Sequence, residues 1–261
     1  MRGNKLKHVH YDLPTAKWPA GYAPLNIALA ADLHVGCVSV SLARLERVVE
    51  QLNKLSADII VLPGDFVVSD ERHFQKIVAP ELIAEKLAGL KARLGVYAVL
   101  GNHDWHLDGP AMWRALEDHG IGVLENDAVK IHRPAQPGQD FWLMGLADDR
   151  TRTPDLGAAF AKVKDSAPVV LMCHDPGTFL DIDARPVLTM CGHTHGGQVR
   201  FPFMGAAYLP SRAPLRYAYG HISENNRDLI VTSGVGTSSL PLRFNCPAEL
   251  VTVKIGPQNR P

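Results

Sequence analysis

The sequence predicts a layered α/β protein, and three observations carry that expectation. Short, near-continuous apolar runs rich in Val, Ile, Leu and Ala recur along the chain, as suits strands buried on both faces of a sheet. Amphipathic helical patterns fall between the early runs, whereas strand-like runs dominate the second half. Such an order packs β-layers against each other with helices outside. No internal repeat, low-complexity tract or linker interrupts the chain, so one domain over 1–261 is expected, with residues 1–23 as an extension or first-strand region.

The elements follow in order. LNIALAAD is strand-like and ends at Asp32. In SLARLERVVEQLNKL, residues Leu42, Leu45, Val48, Val49 and Leu52 share one helical face. ADIIVLPGD is the next strand, ending at Asp65, and Leu82, Ile83, Leu87, Leu90 and Leu94 mark a second helix. GVYAVLGNHD closes a third strand on residues 101–104, and a third helix is expected from near Pro110. VKIHRPAQPGQDFWLMGL places two strand-like runs around a Pro-Gly turn, the pattern of a hairpin. TPDLGAAFAKV predicts a fourth helix, with Thr153 as N-cap and Pro154 in its first turn. APVVLMCHD, PVLTMCGHTH, DLIVTSGVG and AELVTVKI supply the remaining strands, and Gly64, Gly101 and Gly192 sit where strands end.

Lys plus Arg (27) balance Asp plus Glu (27). A neutral chain that is only 7% aromatic gives little support to a nuclease gripping long nucleic acids, and no stable nucleic-acid partner is expected. The cysteines Cys37, Cys173, Cys191 and Cys246 form no CxxC pair and read as reduced thiols. No apolar run reaches the roughly 18 residues of a membrane span, and the N-terminus lacks the apolar segment of a signal peptide. A cytoplasmic location is therefore expected, with peripheral membrane contact and an export or membrane segment ahead of residue 1 both left open. Oligomeric state is not legible.

Polar residues collect at the strand ends. Asp32-Leu33-His34 closes one strand, Gly64-Asp65 the next, and Gly101-Asn102-His103-Asp104 the third; His174, and then His193 and His195, close two later ones. Spacing of i and i+2 puts Asp32 with His34, and His193 with His195, on one side of an extended backbone. Ligands of open α/β sheets bind at the carboxyl ends of strands. Desolvating so many imidazoles and carboxylates together is costly unless cations share the site. The N/O set, without thiolate, suits Mn²⁺, Fe, Zn²⁺ or Mg²⁺. Seven candidate ligands exceed one tetrahedral ion but fit two ions about 3.5–4 Å apart with an aspartate bridging.

The ordered set DxH, GD, GNHD, H, GHTH resembles the calcineurin-like metallophosphoesterases. GHTHGGQVRFP and the later YAYGHISENNRDLIVTSGVGTSSLPLRFNCPAEL are similar, more narrowly, to the bacterial YkuE/YaeI-type branch. The resemblance implies a four-layer αββα sandwich of two mixed β-sheets flanked by helices. It implies two divalent metal ions (Mn, Fe or Zn): Asp32, His34 and His195 on one, Asn102, His174 and His193 on the other, and Asp65 between. It implies in-line attack of a metal-bridging hydroxide on a P–O bond, with His103 assisting the leaving group and Asp104 orienting His103, although Asp104 also suits a helix cap. Arg150 and Arg152 could meet a substrate phosphate or stay as solvated loop charges.

The expected activity is a metal-dependent phosphoric ester hydrolase, a phosphodiesterase before a monoesterase, acting on a small-molecule diester or a lipid or nucleotide phosphate. A hydrolase of UDP-2,3-diacylglucosamine-type pyrophosphates is the alternative, motivated by apolar residues and arginines in RFPFMGAAYLP and SSLPLRFNCP. A non-catalytic metal-binding scaffold is the alternative of another class. It would be expected to lose His103 or several ligands, and all are present.

Overall fold

A computed structural model describes residues 6–238 and 240–258. From the N-terminus run β1 (Lys7–Thr15), β2 (Leu25–Leu29), α1 (Leu42–Lys54), β3 (Ile59–Pro63), α2 (Pro80–Leu87), β4 (Val96–Val99) and α3 (Asn102–Asp118). The middle of the chain gives β5 (Gly122–Val123), β6 (Asp127–Ile131), β7 (Phe141–Gly145), α4 (Leu156–Phe160), β8 (Val169–Met172) and β9 (Leu188–Cys191). Then come β10 (Arg200–Phe201), β11 (Gly205–Ala206), β12 (Gly220–Glu224), β13 (Arg227–Val231) and β14 (Glu249–Pro257).

Two six-stranded mixed sheets result, in the orders β1-β14-β2-β3-β4-β5 and β12-β13-β9-β8-β7-β6. The alternation of side chains explains the layers. Ile27 and Leu29 of β2, with Ile59 and Val61 of β3, point inward and meet Val170 and Met172 of β8 and Met190 of β9. Ala28, Ile60 and Leu62 face the other way and pack on Leu45, Val48 and Leu52 of α1, Ile83 and Leu87 of α2, and Met112 and Leu116 of α3. On the far side, Leu171 and Cys173 pack against Ala159 of α4 and against Phe179 and Tyr217 of two short 3₁₀ turns. The expected αββα order is present, but its fourth layer is thin: α4 has only 5 residues. The predicted hairpin is β6–β7, antiparallel from Asp127↔Gly145 to Ile131↔Phe141.

Two helix boundaries differ from expectation. α3 starts at Asn102, not near Pro110, so the GNHD tetrapeptide is its N-cap and first turn. Proline breaks the helix only locally: Asp108 takes non-helical φ −163° and ψ 82°, and its carboxylate accepts the Ala111 N–H at 2.9 Å, capping the second segment. α4 is capped by Asp155, which accepts from Ala158 N–H at 2.8 Å, rather than by Thr153. The Thr153 carbonyl binds the Asn126 side chain instead, so Thr153 and Pro154 lie ahead of the helix. In the second predicted helix Leu82 is exposed, while Leu90 and Leu94 follow α2 and bury in the core.

β2, β3 and β4 run parallel in one sheet, and β8 and β9 in the other. Their carboxyl ends open on the same edge, and the loops leaving them carry the polar motifs.

Candidate metal centre

The chain leaves β2 and β3 as two loops bonded side by side: Asp32 N–H donates to Gly64 O and His34 N–H to Asp65 O, each at 3.0 Å. The i, i+2 pairs are not on extended backbone, as their spacing had suggested. Asp32 (φ 51°), His34 (41°), Asp65 (59°), His193 (68°) and His195 (51°) all adopt left-handed conformations. Each costs a non-glycine residue on the order of 1–3 kcal/mol, and strain of this kind gathers at functional sites. Glycine serves close approach here. A Cβ on Gly101 would stand 2.3 Å from Asp65 Oδ1 and 2.7 Å from His174 Cε1, and one on Gly192 would stand 2.7 Å from Asp32 Oδ2.

Seven of the predicted residues converge. Asp32, His34 and His195 form one buried group, Asp65, His174 and His193 a second; within each, one potential donor atom per residue lies within 4.8 Å of the others. His34 Nε2 lies 3.1 Å from His195 Nε2, and His193 Nδ1 lies 3.2 Å from His174 Nε2. Asp65 Oδ2 stands between the groups, 3.4 Å from His34 Nε2 and 3.2 Å from His174 Nε2. Asn102 lines the same cavity, and its Oδ1 is buried without a hydrogen-bond partner.

Outer contacts aim the rings. His34 Nδ1 meets Val67 O at 3.1 Å, His174 Nδ1 meets Pro63 O at 2.7 Å, and His193 Nε2 meets Pro210 O at 2.7 Å. A carbonyl can only accept, so each outer nitrogen carries the proton and the inner one presents its lone pair. His195 differs: its Nδ1 faces the Arg243 guanidinium at 3.3 Å.

Burial drives the His34 pKa down to about 3, and burial together with His34 and Arg243 holds His195 well below the ordinary imidazole range. His193 is lowered by burial and by the charge of His174. Burial also opposes charge on His174, but Asp65 outweighs it, so His174 is raised. Burial pushes the Asp32 carboxyl up to about 7, with Asp65 adding to the push. Buried carboxyls short of positive charge, bare imidazole nitrogens and an orphaned amide oxygen form a donor set that fits divalent cations.

His103 is half-buried, lines the cavity and meets the His34 ring edge-to-face at 4.7 Å. Its Nδ1 bonds Ser69 Oγ at 2.8 Å. Asp104, expected to orient that ring, does something else. Its carboxylate accepts the N–H groups of Asp65, Phe66, Val67 and Gly101 at 2.8–3.2 Å. Asp104 caps α3 and clamps the loop after β3, and Ser69 holds the imidazole. Arg150 reaches the cavity and donates to Pro210 O at 2.7 Å. Arg152 is not among the residues lining it: Glu125 binds its guanidinium at 3.0 Å, and the Trp105 ring lies 4.5 Å away. Ser69 was not among the expected site residues, because a lone Ser in GDFVVSD carries no distinctive spacing.

A family model for calcineurin-like phosphoesterases matches residues 25–197. The chain belongs to that family. Among curated calcineurin-like phosphoesterases and their relatives, it is 31% identical over 244 residues to the phosphodiesterase YaeI of Escherichia coli, covering 89% of this chain and 83% of YaeI. It is 27% identical to the metallophosphoesterase YkuE of Bacillus subtilis, over 99% of this chain and 88% of YkuE. It is 29% identical to a Danio rerio transmembrane protein with a metallophosphoesterase domain, covering 95% of this chain but 56% of that protein. The chain thus spans little more than half of that last relative. Among solved structures, a Staphylococcus aureus protein named as a 5′-nucleotidase shares the fold, with a TM-score of 0.53 at 12% identity, covering 81% of this chain and 49% of that one. No helix among the described residues is long and apolar enough to cross a membrane.

Proposed function

We propose that the chain is a metal-dependent phosphoester hydrolase that prefers diesters. The observation that carries this reading is the convergence of two buried ligand groups on Asp65 Oδ2. Asp32, His34 and His195 would hold one cation and Asn102, His174 and His193 the other, with Asp65 shared. When bound, two divalent cations supply Lewis-acid charge for phosphoryl oxygens and acidify water.

The chain's own groups do the rest. His103 sits at the cavity wall with Nδ1 held by Ser69, which leaves Nε2 to carry a proton to the departing oxygen. Arg150, braced on Pro210 O, offers N–H donors to a non-reacting phosphate oxygen. Left-handed backbone at Asp32, His34, Asp65, His193 and His195 keeps the ligands pre-aimed, so little ordering remains when substrate binds. Preference for diesters is supported by the 31% identity with a protein named a phosphodiesterase.

Protein purified without chelator is expected to carry about two equivalents of Mn, Fe or Zn by elemental analysis and to cleave bis(p-nitrophenyl) phosphate faster than p-nitrophenyl phosphate. His103→Ala is expected to keep the metal and lose roughly 10²–10⁴ in kcat. Absence of metal and turnover after Mn²⁺ is added back would leave a non-catalytic scaffold.

A further inference from the structure

Beside the cavity mouth stands a patch of solvent-facing apolar side chains. β10 and β11 form a minimal hairpin, with Arg200 paired to Ala206 and Phe201 to Gly205, and its tip is Pro202-Phe203-Met204. Phe203 is 111% exposed and Met204 73%. The segment 240–245 is stitched to this hairpin. Arg200 N–H donates to Phe244 O at 2.9 Å, Phe244 N–H to Gln198 O at 3.0 Å, and Asn245 Nδ2 to Arg200 O at 3.2 Å. It adds exposed Leu240, Leu242 and Phe244 to the patch. Tyr208 and Leu240 also line the cavity, so the apolar surface runs into its mouth. Ala206, Leu209 and Ala218 bury together beneath the hairpin and give the tip a packed base.

The charge of this face is one-sided. No acidic residue occurs between Asp183 and Glu224, or between Asp228 and Glu249. Of the arginines in these stretches, Arg212 and Arg216 pair with carboxylates and the Arg243 guanidinium turns inward onto His195, whereas Arg200, on the hairpin itself, has no carboxylate partner among the described residues. Arg200 binds Gly196 O at 3.1 Å with its guanidinium 5.3 Å from the Tyr219 ring. An apolar patch that carries the cation Arg200 and has no acidic residue in its own segments matches an anionic lipid surface. Shape favours the same partner. A two-pair hairpin with Phe at its apex is a wedge, for which a protein partner would need a matching hole, whereas a fluid headgroup layer moulds around it.

We propose that this face docks on an anionic bilayer surface, with Phe201, Phe203 and Met204 between headgroups, and turns the cavity mouth toward phosphoesters held at that surface. Docking stands on the patch alone; the orientation toward phosphoesters rests on the hydrolase reading.

The test is co-sedimentation with phosphatidylcholine vesicles, with and without phosphatidylglycerol. Wild-type protein is expected to pellet with the anionic vesicles, less with the neutral ones, and less in high salt. The double variant Phe203→Ser/Met204→Ser is expected to lower the partition coefficient about tenfold or more, with its thermal midpoint and soluble-diester turnover unchanged. Wild-type protein that stays in the supernatant overturns the proposal, as does a variant that pellets equally well. A dimer in gel filtration that the double variant splits would assign the patch to a second copy of the chain and overturn it too. Pelleting by a metal-loaded protein that cleaves no diester would keep docking and remove the hydrolase reading; cleavage without pelleting would do the reverse.

Discussion

Ser69 holds the His103 imidazole that Asp104 was expected to orient, and Asp104 ties two loops together instead. Asp104 is buried and accepts four backbone N–H groups from two loops. Asp104→Asn would offer those donors one oxygen and an N–H₂ group facing N–H, at a cost of about 2–4 kcal/mol. It is expected to lose both stability and metal content. Ser69→Ala removes a single contact, to His103 Nδ1. It is expected to lower kcat about tenfold with KM, metal content and thermal midpoint unchanged, and Ser69→Thr is expected to recover most of the rate. Paired kinetics and elemental analysis separate the two roles. If Ser69→Ala also lost metal, Ser69 would be holding the loop and not the imidazole. The seven candidate ligand residues were legible as a set because five motifs in fixed order name them jointly, and the fold brings them together. Ser69 was not, since its partner lies 34 residues away and its spacing from Asp65 has no independent meaning.

At the scale of elements, strand-to-loop junctions decide the site. The β4–α3 junction packs Gly101 into a gap where Asp65 and His174 leave no space for a methyl group. Gly101→Ala is expected to leave the sheets formed but to push these two candidate ligands apart, cutting metal affinity about 10–100-fold. Titration of the apo variant with Mn²⁺ or Zn²⁺, followed calorimetrically, reads this directly, and wild-type affinity would show that the loop yields. The strands and α1 were legible because burial writes a period of 2 or 3.6 into them. The start of α3 was not. Its first turn is spelled Asn102-His103-Asp104, polar residues chosen for the site, so no apolar stripe announces the helix before Met112 and Leu116. The left-handed conformations were hidden for a related reason: nothing local favours them in Asp or His strongly enough, and at Asp32 and His34 the backbone hydrogen bonds that accompany them come from the neighbouring loop.

On the scale of the whole molecule, the site sits where two sheets meet at one edge. Asp32, His34, Asp65 and Asn102 follow strands of the first sheet, and His174, His193 and His195 follow strands of the second. Cations shared between these residues would tie the sheets together at that edge, beyond the apolar layer that joins them along their length. Without cations the same edge buries Asp32 and Asp65 together with four imidazoles, and burial alone drives Asp32 toward its protonated form. Removing metal therefore exchanges a set of bonds for mutual strain. Linkage gives the size: a ligand at a thousandfold excess over its Kd stabilises the folded state by about 4 kcal/mol, and each kcal/mol moves the midpoint of a chain this long by roughly 2–4 °C. Chelation is thus expected to lower the thermal midpoint by about 8–16 °C, with Mn²⁺ or Zn²⁺ restoring it. The double variant His174→Ala/His195→Ala, which removes one ligand from each proposed cation, is expected to show little further drop with chelator. Scanning calorimetry of the loaded, chelated and reloaded protein reads all of this without a substrate. A midpoint indifferent to chelator, in protein shown by elemental analysis to have lost its metal, would mean that the sheets hold the site and the cations add nothing to the hold.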